Sequence, residues 1–107
     1  IMIITTTPAI SGKEITNYLG VVTGETIFAI NAVRDFFASI RDIVGGRTNP
    51  YEEVLTKART EALNEMQHRA EALGADAIVG VHISYESLGG NATMLMVCCT
   101  GTAVKLA

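Results

Sequence analysis

The sequence predicts an α+β domain, a small antiparallel sheet with helices packed on one face, in the element order β-β-α-α-β-β. Three observations carry this. Apolar and β-branched residues alternate toward both ends of the chain, the period lengthens to three or four residues between Asn31 and Leu73, and glycines stand where the period changes. With 107 residues the chain is expected to be a single domain over 1–107, large enough for a modest core.

Ile3 to Thr7 is β-branched and stops at Pro8, which predicts an edge strand. Glu14 to Phe28 (EITNYLGVVTGETIF) is again β-rich, and Gly20 and Gly24 inside it mark a bulge, a bend or a close backbone approach. From Asn31 onward, Val33, Phe36, Phe37, Ile40 and Val44 make one apolar stripe at helical spacing, with Asn31 as N-cap and Gly45 or Gly46 as stop.

The second helix has Asn49 as cap, Pro50 in the first helical position and Glu52 at capping-box spacing. Leu55, Ala58, Ala62, Met66, Ala70 and Leu73 are its expected buried face, and its alanines let it lie close to what it covers. Glu53/Lys57 and Glu65/Arg69 are spaced to pair on the outside, and Gly74 ends the helix.

Ala77 to Glu86 returns to a strand, with Ala77, Val79, Val81, Ile83 and Tyr85 on one face and Ile78, Gly80, His82, Ser84 and Glu86 on the other. Gly89-Gly90 turns the chain into a last strand, Thr93 to Val104, which pairs with it as a hairpin. The second face of the sheet is only half polar. Another copy of the chain is the simplest cover for it.

Composition narrows the function. The chain is 49% hydrophobic and 18% charged, and its mean hydropathy of +0.33 points to apolar surface that a partner covers. A net charge of −3 and a pI near 5.2 argue against nucleic acid or an anionic membrane as partner, since either needs a basic face. No apolar run reaches the about eighteen residues of a membrane span. IMIITTTP has neither a basic start nor a long apolar core, so no signal peptide is expected, and Ile1 before Met2 reads as an addition ahead of the natural start. Two adjacent cysteines are not a disulfide framework, and a cytoplasmic location is expected.

Four stretches, in order, resemble the bacterial YbjQ-like family, which carries a heavy-metal-binding label. They are Gly20 to Glu25 (GVVTGE), Arg34 to Arg47 (RDFFASIRDIVGGR), Ala72 to Val81 (ALGADAIVGV), and MLMV at Met94 followed by GTAVK ending at Lys105. The resemblance runs nearly end to end. It implies a dodecin-like β-α-β-β core assembled as a homopentamer, with extra short strands helping assembly, and it implies little about activity.

A metal site needs converging ligands, and the candidates are Met94, Met96, Cys98 and His82. Cys98 and Cys99 are strand neighbours that point to opposite faces, so one strand cannot aim both thiols at one ion. Met94, Met96 and Cys98 do share a face, and three sulfurs at period two suit a soft cation such as Cu(I). The same side chains also suit a core or a subunit interface, which is the favoured reading. His82, with Ser84 and Glu86 on its face, is read as a solvated or interface histidine, or as one member of a symmetric ring. His68 falls on the outer side of the long helix. A soft or transition metal ion is the only cofactor class these residues suggest.

The junction RDIVGGR is the most unusual chemistry in the chain. Arg34 and Arg41, and Asp35 and Asp42, repeat seven apart with no opposite charge three or four residues away, so the helix does not satisfy its own charges. Reciprocal ion pairs between subunits, also using Arg47, are the favoured reading. The rival is an anion site, with the Gly45-Gly46 amides, the Arg47 fork and the start of the next helix facing one ligand. Neither GK[ST] nor GxGxxG accompanies it. No catalytic spacing stands out, and an enzyme would need a composite site between subunits from Arg41, Asp42, Arg47 and Glu25. The expected protein is therefore an oligomeric binder of a metal or small ligand whose partner is itself, or alternatively an assembly module with no ligand.

Overall fold

The central strand is the one whose sequence is apolar on both faces. In a computed structural model, which describes residues 2–29, 50–88 and 94–107, the strands are β1 (Ile3–Ile4), β2 (Ile15–Ala29), β3 (Ala77–Leu88) and β4 (Met94–Leu106), in the sheet order β1-β3-β4-β2. Met94–Leu106 thus lies between two neighbours. One helix, α1 (Pro50–Ala72), packs on one face of this sheet, and the chain is α+β. The expected helix from Asn31 to Val44 lies outside the described residues.

β4 is antiparallel to β3, the expected hairpin, and it is antiparallel to β2 on its other side. The sheet is nevertheless mixed and not wholly antiparallel, because β1 runs parallel to β3, with Ile3 opposite Ala77 and Ile4 opposite Ile78. Parallel neighbours need a long crossover, and the chain between β1 and β3, α1 included, supplies it.

α1 presents Ala58, Ala62, Met66 and Ala70 to the sheet, each no more than 4% exposed. Leu73, expected on the same stripe, is instead 49% exposed. The helix has ended by then in a Schellman turn, in which the Ala75 N–H donates to the Ala70 carbonyl at 3.1 Å and the Gly74 N–H to that of Glu71 at 2.9 Å. That turn carries Leu73 off the buried stripe. On the sheet side Val22, Ile78, Val81, Val97, Cys99 and Ala103 complete the layer.

One local feature redistributes the faces. The ladder between β3 and β4 slips between Val79, opposite Thr102, and His82, opposite Thr100. Three steps on β3 answer two on β4, a bulge at Gly80, where φ is +62°. The alternation therefore changes phase. Ile78 before the bulge and Val81 and Ile83 after it all face α1, whereas Ala77 and Val79 point to the other side. This corrects the expectation that Ala77, Val79, Val81 and Ile83 share a face and that Ile78 lies opposite them. A Cβ at Gly80 would meet nothing within 4 Å, so the cost of substitution is backbone strain alone. Gly80→Ala is expected to lower the unfolding free energy by about 1 kcal/mol and Gly80→Asn by less, since Asn tolerates the left-handed region. Urea titration of the two variants checks the order.

On the face away from α1, Ala77, Val79 and Val104 make a second small cluster, topped by Ile10, Ile15 and Leu106. The N-terminal segment is strapped across this end of the sheet. Thr5 N–H donates to the Ile78 carbonyl at 3.0 Å, Gly80 N–H to that of Thr7 at 2.9 Å, and Val81 N–H to that of Thr5 at 3.1 Å. Nothing described covers the rest of that face.

Candidate functional site

The uncovered end of the sheet brings the candidate residues together. Pairing partners share a face, so register sorts them into rows across β3, β4 and β2. The rows read Glu86–Met96–Ile27, then Ser84–Cys98–Glu25, then His82–Thr100–Thr23, with Met94 beyond them opposite Leu88 and Ala29. Met94, Met96 and Cys98 are therefore one column on the central strand, and His82 sits one row on, on the neighbouring strand. All four lie on the face that α1 leaves bare. Cys99 is on the opposite face, fully buried under α1, its Sγ 3.5 Å from the Gly24 carbonyl oxygen to which it donates.

Large apolar side chains stand out on this face. Val21 is 75% exposed, Ile27 56% and Met94 40%, while Met96 and Cys98 are half-buried between their neighbours. The charges here are acidic. Glu25 lies directly across from Cys98 and Glu86 is on the strand to the other side, one row away. Burial, and then the negative charges of Glu25 and Glu86, raise the Cys98 thiol pKa above its ordinary value. The thiol stays protonated at neutral pH, which is the opposite of an activated nucleophile.

Periodicity could not show Arg69 reaching round the free edge of β2. Its guanidinium pairs with Glu65 on its own helix at 2.6 Å, as the i,i+4 spacing predicts. The same group also donates to the Thr23 carbonyl at 2.8 Å and the Thr23 hydroxyl at 3.1 Å, and lies 3.7 Å from the Glu25 carboxylate. An arginine on an outer strand's carbonyl is one way of blunting an exposed edge. It also places Glu25 beside a cation of its own chain. Arg34, Arg41, Asp42, Gly45, Gly46 and Arg47 lie outside the described residues.

The donor set can be tested against metal chemistry directly. Among the described residues no three His, Cys, Asp or Glu side chains gather closely enough to hold one ion. What the bare face offers is a column of sulfur, a pair of carboxylates and one imidazole. No described helix is long and apolar enough to cross a membrane.

A family model described as "Putative heavy-metal-binding" matches residues 2–107. Among solved structures, the chain is similar to the crystal structure of a protein of unknown function from Pediococcus pentosaceus assigned to the DUF74 family. The two are 20% identical, the match covers 99% of this chain and 98% of that one, and the TM-score is 0.59. At that identity the likeness speaks for the fold alone.

Proposed function

The chain belongs to the YbjQ family, and from that premise we propose that it is a self-assembling binding subunit whose bare sheet face is closed by further copies of itself. The observation that carries this reading is the exposure of Val21, Ile27 and Met94 on one face of a sheet whose other face is packed. A two-layer α+β unit leaves one sheet face open, and large apolar side chains standing exposed on such a face, here at both ends of a polar middle, suit an interface. The resemblance supplies the number, five copies. The charges of Arg34, Arg41, Asp42 and Arg47 are the second proposed contact between them, fixing geometry more than adding stability. Two free cysteines accord with a reducing compartment, hence the cytoplasm.

In this reading the ligand, a heavy metal as the family description has it, binds on or beside the closed face. Native mass spectrometry tests the assembly. The wild-type chain is expected as a multimer, with five the number sought. Val21→Asp together with Ile27→Asp is expected to yield monomers with an unchanged far-ultraviolet circular dichroism spectrum, because both side chains point away from the helix-side core. A wild-type chain that stays monomeric at tens of micromolar overturns the reading.

A further inference from the structure

We propose that Met96 and Cys98, neighbours in the column Met94–Met96–Cys98, are the chelating pair for a soft monovalent ion, Cu(I) or Ag(I). This names the ion class for the binding reading above and rests on it, but it does not depend on the assembly.

The donors are of the right kind. Thioether and thiolate sulfur select soft ions, whereas zinc-type divalent ions want four nitrogen, oxygen or thiolate ligands. Among the described residues no three His, Cys, Asp or Glu side chains converge, so this part of one chain does not meet that demand. A soft monovalent ion is satisfied by two or three sulfurs.

The placement is also suitable. Met96 and Cys98 are alternate residues of one strand, their Cα atoms about 7 Å apart on the same face. The long, flexible thioether can close that gap on the thiol. The strand beneath them is held on both sides, by β2 and β3, and in the single chain both sulfurs are only half-buried, so an ion can reach them before further copies close the face. Glu86 from β3 adds negative charge on this face, and Glu25 from β2, directly across from Cys98, is partly offset by Arg69 at 3.7 Å on the outer edge of β2.

Binding replaces the Cys98 proton, which leaves to solvent as the metal–sulfur bond forms. The ionisable groups on the same face nearby are Glu25 across on β2, and Glu86 and His82 on β3. One thiol proton is displaced for each ion bound. Apparent affinity is then expected to rise with pH, about tenfold per unit while one proton is displaced per ion.

The test is Ag(I) added to metal-free protein, read by native mass spectrometry and by the ultraviolet thiolate charge-transfer band at several pH values. One ion per chain is expected, weakened at least tenfold by Met96→Leu or Cys98→Ser and lost in the double variant. Both changes conserve shape, and circular dichroism verifies the fold. Cys99→Ala is expected to leave binding intact, and Zn(II) at the same concentration is expected not to bind. Undiminished Ag(I) binding by the double variant, loss of binding in a folded Cys99→Ala chain, or zinc binding as tight as silver would each overturn the proposal. The same spectra count subunits, so an ion on a monomer refutes only the assembly, and an ion-free multimer refutes only the site.

Discussion

Replacing Gly24 by alanine is expected to cost about 3 kcal/mol or more of folding stability, among the largest effects of any single methyl group in this chain. Gly24 sits on β2 opposite Cys99, directly beneath α1. A Cβ there would run into the carbonyl oxygen of Ala62 well inside van der Waals contact, and would lie 2.9 Å from the Met66 nitrogen and 3.0 Å from the Ala62 carbonyl carbon. All three are helix backbone atoms and cannot rotate aside. The helix must lift, and the layer of Ala58, Ala62, Met66 and Ala70 opens with it. Gly101 makes the useful contrast. A methyl group there meets side chains and not helix backbone, Ile78 Cγ2 at 2.6 Å and Val81 Cγ2 at 3.1 Å; these β-branched chains are stiff, so the cost is smaller than at Gly24 but still about 1–3 kcal/mol. Urea denaturation of the two alanine variants should separate them clearly. A Gly24→Ala protein as stable as wild type would show that the helix does not lie this close.

Met66→Ala is the second large effect. Among the described residues Met66 is the largest side chain buried without exposure, and it lies in the main core between α1 and the sheet. Truncation removes the transfer energy of its side chain and leaves a cavity among rigid strands, about 2–5 kcal/mol together. For a domain of this size that is a fall in Tm of about 10 °C or more, measured at fixed chain concentration because assembly would also shift Tm. Met66→Leu nearly conserves the volume and is expected to stay within about 1.5 kcal/mol. Equal losses for the two variants would mean that the thioether matters for something besides filling space.

Much of this was legible in the chain itself. The limits of α1 follow from Pro50 at its first position and Gly74 in its closing turn, both local effects of backbone geometry. The small-residue stripe of Ala58, Ala62 and Ala70 announced a close helix–sheet contact. The period of two along β4 put Met94, Met96 and Cys98 on one face and Cys99 on the other. The family, too, could be read from four ordered stretches, and its model matches residues 2–107.

Other features needed the tertiary structure, because each depends on a partner far away in sequence. Gly80 was visible as a glycine within a strand, but only the ladder with β4 shows that it inserts a residue and moves Ile78 under the helix. That shift puts Ala77 and Val79, in place of Ile78, on the face away from α1. The direction of β1 is set by the crossover through α1 and not by its own two residues. Glu25 stands beside Cys98 because of strand register, and Arg69 reaches Thr23 because β2 is an outer strand with a free carbonyl. Local sequence sets which way each side chain points along its own element, since helix and strand periods are properties of the backbone. Which side chains meet, and which face is left uncovered, is decided only when those elements pair.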